Sequence, residues 1–129
     1  MRPNEVSYKV IGAAMRVHTA LGAGLLESAY DTSLCHELTQ SGLQYLHQVK
    51  LPASYEGHKL SPAYCIDFIV EKCLVVEIKS VANILPVHRA QLLSYLRLTG
   101  HPLGLLLNFN VPHMRDGIHR VINAPESEL

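Results

Sequence analysis

Residues 63–81 read AYCIDFIVEKCLVVEIKSV and consist of two mostly apolar runs joined by a short polar link. The runs Ala63–Val70 and Cys73–Val81 are rich in β-branched residues, which favour strands. The dipeptide Glu71-Lys72 between them predicts a tight hairpin turn. This stretch therefore predicts an antiparallel hairpin, and the rest of the chain is interpreted around it.

Three charged residues, Asp67, Glu77 and Lys79, interrupt the two apolar runs. Glu77 and Lys79 share one face of their strand, because strand side chains alternate between faces. If the runs pair, Asp67 lies on the neighbouring strand and faces the same way. Two converging carboxylates repel each other unless a proton or a cation lies between them, and a hard divalent cation is the usual solution. The pattern suits a metal site, but a solvated face of a one-sided antiparallel sheet with cross-strand pairing explains the same charges, and the hairpin alone leaves both interpretations open.

The composition is that of a globular protein with no overall basic charge. Of 129 residues, 48% are hydrophobic and 17% are charged, which suits one domain with a core and argues against disorder. Basic and acidic residues number eleven each, so nucleic-acid binding would depend on a local patch or a bound metal. Three cysteines in or beside apolar runs predict buried thiols in the cytoplasm. No signal peptide or membrane span is expected, and no HxxxH or CxxC spacing suggests zinc.

Two helices are predicted before the hairpin from apolar residues at helical spacing. The first covers about residues 4–21 with Asn4 as its cap, and the second covers about residues 25–41. Glu27 lies in the first turn of the second helix, where a carboxylate complements the helix dipole. Gly24 precedes Glu27 with the spacing of an N-cap and an N3 residue, so a structural role explains Glu27 as well.

The remaining segments complete a mixed sheet. Residues 44–55 predict a strand, and residues 86–100 predict a third helix that begins with proline. Residues 103–109 form an apolar run typical of an inner strand, and residues 117–122 suggest a short edge strand. A hairpin followed by a crossover helix and another strand gives a mixed sheet flanked by helices.

One domain is expected over residues 1–129. We expect an N-terminal helix at residues 1–21, a core at residues 22–123 and a frayed tail at residues 124–129. The third helix carries His88, Gln91 and Tyr95 three and four residues apart, so they share one face. That polar face either contacts solvent or contributes to a site.

The acidic hairpin resembles a known nuclease signature. Asp67, nine further residues and then Glu77-Ile78-Lys79 are similar to the D…(D/E)xK pattern of the PD-(D/E)xK nuclease-like superfamily. Residues 24–30, GLLESAY, fit the motif of the GxxExxY proteins placed in that superfamily, and residues 91–96, QLLSYL, fit a QxxxYL motif downstream. The resemblance implies an α/β (α+β), restriction-endonuclease-like core, with a mixed β-sheet flanked by helices in the order ααβββαβ.

The resemblance also implies roles for five residues. Asp67 and Glu77 match the carboxylates that hold Mg²⁺ or Mn²⁺. Lys79 matches the lysine that orients or activates water, and Glu27 matches a helix glutamate that completes the metal shell through water. Gln91 matches a helix glutamine of the exonuclease-like branches.

Three further residues, Tyr95, His88 and Tyr30, are expected to position substrate. Two departures from the family pattern accompany them. Ile66 precedes Asp67 where the superfamily's name has proline, and His119 stands where a basic residue is expected.

The resulting expectation is a cytoplasmic, metal-dependent nuclease that hydrolyses phosphodiester bonds in DNA or RNA with Mg²⁺ or Mn²⁺. A chain this compact would need a second copy to surround its substrate, so a homodimer is expected. The alternative is a catalytically idle nuclease-fold module that binds a nucleic acid or a protein partner, which the zero net charge favours. A purely structural sheet protein would require the polar residues to be exposed or paired with one another.

Overall fold

The computed structural model describes residues 1–129 except for the side chains of Pro62 and Ala63. This part of the chain forms three α-helices and five strands, with two short 3-10 turns near the C-terminal end. In chain order the elements are α1 (Pro3–Leu21), α2 (Glu27–Gln40), β1 (Tyr45–Tyr55), β2 (His58–Val70), β3 (Leu74–Lys79), α3 (Pro86–Thr99), β4 (Leu103–Asn108), a 3-10 turn (Met114–Gly117), β5 (Ile118–Ile122) and a second 3-10 turn (Glu126–Glu128).

The strands form one mixed sheet in the order β1-β2-β3-β4-β5. β1, β2 and β3 are antiparallel neighbours, β3 and β4 are parallel, and β5 returns antiparallel to β4. α3 is the crossover that joins the two parallel strands, as parallel pairing requires. The predicted α+β core in the order ααβββαβ is confirmed, and the edge strand suggested near residues 117–122 follows it as β5.

The hairpin at the centre of the sequence turns where the sequence predicted. Glu71 and Lys72 have φ angles of +50° and +56°, and the amide of Cys73 donates to the carbonyl of Val70 at 3.1 Å. Left-handed backbone at both central positions matches the twist of an antiparallel hairpin. The turn thereby sets the register that pairs Val70 with Leu74 and Phe68 with Val76.

The two faces of the sheet are covered by different helices. α1 and α2 pack on the face that carries alternate β3 residues Leu74, Val76 and Ile78, whereas α3 packs on the face of Val75. Gly104 in β4 lets α3 approach closely, because a Cβ at that position would lie 2.9 Å from Leu92 Cδ1. The alternation predicted for β3 is therefore confirmed.

β1 changes faces at Gln48, whose φ is +55°. The rings of Tyr45 and His47 pack on Phe68 in the core between the sheet and helices α1 and α2, the first core, but Val49 belongs to the core between the sheet and α3, the second core. In a regular strand these three residues would share one face, so the left-handed residue re-aims the strand, although the pairing register is the same on either side of it. His47 pairs with Phe68 and Val49 pairs with Ile66, so Gln48 lies opposite Asp67. The hairpin therefore bends beside Asp67.

The predicted helix caps are wrong in detail. α1 begins at Pro3, with Arg2 at the N-cap position, and the side chain of Asn4 instead accepts a hydrogen bond from Arg120. α2 begins at Glu27 itself, so Gly24 is not its N-cap residue. Proline at the start of α1 replaces a side-chain cap, because its missing N–H is one of the unpaired donors there.

The frayed tail expected at residues 124–129 stays a prediction, but its last residue contacts the start of α1. Leu129 is 2% exposed, packs against the first core and accepts a hydrogen bond from the amide of Asn4 at 2.8 Å. The assignment of residues 1–129 to a single domain stays a prediction. Within the described residues, no helix combines the length and the apolar character needed to cross a bilayer.

Candidate metal and nuclease site

β2 and β3 separate at the point where Asp67 faces Glu77. The ladder of paired residues ends at Phe68 and Val76. Beyond it the amide of Asp67 donates to Glu77 Oε1 at 3.0 Å, and the amide of Ile78 donates to Asp67 Oδ2 at 2.8 Å. Each carboxyl group thus accepts a main-chain amide of the opposite strand with one oxygen and keeps its second oxygen for the other carboxyl group or for a cation.

Burial makes negative charge costly at this pair. Glu77 is 4% exposed, and burial, with the charge of Asp67 adding to it, raises the pKa of Glu77 to about 9. Burial also raises the pKa of Asp67, although the amide of Ile78 and the side chain of Glu77 oppose that rise. Two carboxyl groups in this situation hold one proton between them, because burial and mutual repulsion disfavour a second negative charge.

Lys79 and Glu27 lie close enough to the acidic pair for their charges to act on it. Burial is the largest influence on the pKa values of Glu27, Asp67 and Glu77 and raises all three, whereas the charge of Lys79 lowers all three. The half-buried Lys79 ammonium therefore lies within electrostatic reach of every acid. Among the described residues, the oxygens of the three acids do not all come within 4.8 Å of one another. Glu27 would therefore reach a cation held by the other two acids only through water.

Tyr30 fixes the loop that carries Glu27. Its hydroxyl donates to the carbonyl of Gly22 at 2.6 Å and accepts from the amide of Leu25 at 3.1 Å. Its ring is fully buried and stacks on Phe109 with centroids 4.5 Å apart. The prediction that Tyr30 positions substrate is wrong, because a buried ring whose hydroxyl binds the main chain cannot contact a bound molecule.

Two polar side chains to which the sequence interpretation gave no role hold the end of β3 in place. Ser80 directly follows Lys79, and its hydroxyl donates to the carbonyl of Leu25 at 2.6 Å. The buried Asn108 accepts from the amide of Val81 at 3.1 Å and donates to the carbonyl of Val81 at 3.0 Å. A polar residue at the end of the apolar run of β4 was a visible signal for Asn108, whereas nothing in the sequence distinguished Ser80.

Tyr95 of α3 lies close to the acidic pair. It is 4% exposed, and burial together with the charges of Glu77 and Asp67 raises the pKa of its hydroxyl to about 12. Its ring packs edge-on against Tyr64 at 5.8 Å. Gln91 is exposed one turn earlier on α3, on the same face as Tyr95.

His88 caps the helix that carries these residues. Its Nδ1 accepts a hydrogen bond from the amide of Leu85 at 2.9 Å, which satisfies a donor at the start of α3. Because Nδ1 is an acceptor, the hydrogen of the neutral ring lies on Nε2. The substrate-positioning roles of His88 and Tyr95 stay predictions.

The acidic pair fits a hard divalent cation. Carboxylate oxygens are the ligands that Mg²⁺ and Mn²⁺ prefer. A cation between Asp67 and Glu77 would replace the shared proton and remove the cost of ionising a buried acid. The catalytic roles of Asp67, Glu77, Lys79, Gln91 and Glu27 also stay predictions.

Comparison with known proteins points to one family. A family model described as the PD-(D/E)XK nuclease superfamily matches residues 4–121, which is most of the chain. No curated protein and no solved structure matches this chain.

Proposed function

Because the chain belongs to the PD-(D/E)XK nuclease superfamily, we propose that it hydrolyses phosphodiester bonds in DNA or RNA with Mg²⁺ or Mn²⁺. The observation that carries this proposal is the pair of converging acids, each held by an amide of the opposite strand. Two buried carboxylates make a poor structural contact, since their mutual repulsion must be offset by a proton or a cation. The same arrangement is suited to a dication.

Each residue of the site has a task in such a reaction. A dication held by Asp67 and Glu77 would neutralise charge on the phosphate and lower the pKa of its bound water. Lys79 would add positive charge beside the developing negative charge or take part in activating the water. Glu27, at the start of α2, would orient a water molecule bound to the dication. Gln91 would hold the substrate at the rim of α3, where its exposed amide can donate and accept hydrogen bonds.

We also assign the chain to the GxxExxY proteins within this superfamily. Support comes from the way the three motif residues act together. Gly24 has a φ of +93°, which favours glycine, and lies in the loop that leads into α2. Tyr30 holds that loop through its hydroxyl, and Glu27 is presented at the first helical position.

The test is cleavage of single- and double-stranded DNA and RNA with Mg²⁺ or Mn²⁺. We expect Asp67→Ala and Lys79→Met to lose activity by about 100-fold or more, because each removes a charge that acts on the reacting phosphate. Lys9→Met is the matched control, since Lys9 is exposed on α1 away from the acids. A chelator should abolish the activity of the wild-type protein.

Equal residual cleavage by wild type, Asp67→Ala and Lys79→Met would indicate a contaminating nuclease and contradict the proposal. Absent cleavage with retained, metal-independent binding of nucleic acid or of a protein partner would favour the idle nuclease-fold module instead. The cytoplasmic location and the homodimer stay predictions. A monomer mass by sedimentation at working concentration would remove the dimer.

A further inference from the structure

A second group of potential metal ligands lies between α2 and β1. Asp31 and Cys35 are one turn apart on α2, and His47 reaches them from β1. One carboxylate oxygen, one sulfur and one ring nitrogen all lie within 4.8 Å of one another. Across the part of the chain that the structure describes, this is the only group of three such donors that comes so close together.

Neighbouring side chains hold these donors in position. The His47 ring packs on the Phe68 ring with centroids 4.7 Å apart, and Nε2 of His47 lies 2.6 Å from Asp31 Oδ1. Gln48 Nε2 donates to the other oxygen of Asp31 at 3.4 Å. Partners that orient a ligating carboxylate and a ligating ring are the usual supports of a metal centre.

Cys35 is fixed from its own helix turn and from β1. The hydroxyl of Tyr45 donates to the main-chain carbonyl of Cys35 at 3.2 Å, and the cysteine packs partly against the first core. Its thiol is free of any disulfide. The sulfur therefore faces the cluster from a partly dry side, where a metal–thiolate bond is shielded from water.

An ordinary ion pair explains only part of this arrangement. The contact between His47 and Asp31 accounts for two of the three groups, and partly exposed pairs contribute about 0–1 kcal/mol. It does not account for a thiol directed at the same point. Oxygen, sulfur and imidazole nitrogen together suit borderline transition metals, whereas Mg²⁺ prefers oxygen alone.

We propose that Asp31, Cys35 and His47 bind a borderline divalent transition metal, of which Zn²⁺ is the representative, at a site separate from the Asp67–Glu77 pair. Three protein ligands leave a fourth tetrahedral position for water or for a group of a bound molecule. Donors around tetrahedral zinc lie about 3.5 Å apart. The Cys35 sulfur, within 4.8 Å of the other two donors, would need to move inward by little more than about 1 Å, whereas His47 Nε2 and Asp31 Oδ1, 2.6 Å apart, would need to separate by about 1 Å to admit the ion. Binding uses the Cys35 thiolate and the neutral His47 ring, and the thiol proton passes to solvent.

The position of the cluster connects it with the acidic site. Glu27, Asp31 and Cys35 follow one another at four-residue spacing along one face of α2. The proposed site is therefore next to Glu27, whose pKa the charge of Asp31 helps to raise. The proposal does not depend on hydrolysis, because metal binding by Asp31, Cys35 and His47 is measured directly.

The experiment titrates the chelator-stripped full chain with Co²⁺, which replaces Zn²⁺ and reports its ligands by absorption. A cobalt–thiolate bond gives a charge-transfer band in the near ultraviolet, which oxygen ligands alone do not give. We expect this band to saturate at about one equivalent and to disappear when Zn²⁺ is added. Cys35→Ser should abolish the band, and His47→Gln should weaken Zn²⁺ binding by about 10-fold or more.

Two matched variants separate this site from the rest of the protein. Cys73→Ser removes another partly buried free cysteine, and Asp67→Asn alters the acidic pair, so both should keep the band. The exposed side chain of His47 makes His47→Gln informative even if Cys35→Ser does not fold. No charge-transfer band in the wild type, a band that survives unchanged in Cys35→Ser, or an unchanged Zn²⁺ affinity in His47→Gln would overturn the proposal.

Discussion

Replacement of Glu77 by glutamine should stabilise the metal-free protein at neutral pH while it removes activity. Glu77 is 4% exposed, and burial raises its pKa from an ordinary value of 4.5 to about 9. At neutral pH the folded chain keeps Glu77 protonated, whereas the unfolded chain ionises it. This ionisation favours the unfolded state. The variant cannot ionise at all.

The size of the effect follows from proton linkage. Between the ordinary pKa of 4.5 and the folded pKa of about 9, the folded protein keeps the Glu77 proton that the unfolded chain has released. The folded state then binds more protons, so the free energy of unfolding falls as the pH rises through this window. Each pH unit removes up to about 1.4 kcal/mol, which gives a loss of about 3 kcal/mol by pH 7. This is a large fraction of the typical 5–15 kcal/mol of a folded domain.

Glutamine reproduces the protonated state of Glu77 in shape and in hydrogen bonding. Its carbonyl can accept from the amide of Asp67, as Oε1 of Glu77 does at 3.0 Å. Its amide can donate to the Asp67 carboxylate as the protonated acid would. We therefore expect Glu77→Gln to match the wild type near pH 4.5 and to exceed it by about 3 kcal/mol at pH 7.

Urea unfolding in a chelator, followed by circular dichroism from about pH 5 to about pH 8, measures this difference. Glu5→Gln is the matched control, because Glu5 is exposed on α1 and the variant should follow the wild type at every pH. Added Mg²⁺ should stabilise the wild type more than Glu77→Gln. An equal pH dependence in wild type and Glu77→Gln, or a variant less stable than wild type at pH 7, would refute the protonated-pair reasoning.

Two further predictions test the framework around the site. Tyr30→Phe should lower the free energy of unfolding by about 1–3 kcal/mol, because it leaves two main-chain groups of the loop before Glu27 without their hydrogen-bond partner. It should also reduce cleavage. Tyr8→Phe, at an 81% exposed position, should change neither stability nor cleavage in the same assays. Gly117→Ala should lower the melting temperature and cost about 3 kcal/mol or more, because its Cβ would lie 1.9 Å from the Asn108 carbonyl oxygen. Gly12→Ala in the middle of α1 should instead raise the melting temperature and stabilise the protein by up to about 1 kcal/mol, since the atom nearest to the added Cβ is 3.6 Å away. A Gly117→Ala protein that is more stable than Gly12→Ala would contradict the close packing of Gly117.

Local sequence patterns were sufficient for most secondary structure. The alternation along β3 predicted which face holds Glu77 and Lys79, and the structure has Val75 on the side of α3 and Leu74 on the side of α1 and α2. The link Glu71-Lys72 predicted the turn, which both residues form with positive φ. These features depend on neighbours within a few residues, so the chain itself contains the information.

Details that depend on distant contacts were missed. Tyr30 belongs to a motif with Glu27 and was interpreted as a substrate contact, but it stacks on Phe109 from the other end of the chain. α2 begins at Glu27 because the preceding loop is held by Tyr30 and Ser80, not by a side-chain cap. Spacing within a helix does not reveal which strand will lie beside it.

The order of helical and strand patterns along the chain determined the mixed sheet, because strand and helix periods are fixed by backbone geometry. The D…(D/E)xK motif on two of those strands indicated the superfamily. Only the tertiary structure decided that Asp67 and Glu77 exchange amide hydrogen bonds, and that Asp31, Cys35 and His47 meet. The HxxxH and CxxC motifs that typically indicate zinc are local patterns, and the sequence has neither. The cluster of Asp31, Cys35 and His47 instead combines residues of a helix and of a strand. Such a convergence arises when β1 bends at Gln48 and packs against α2, and packing between distant segments leaves no periodic trace in the sequence.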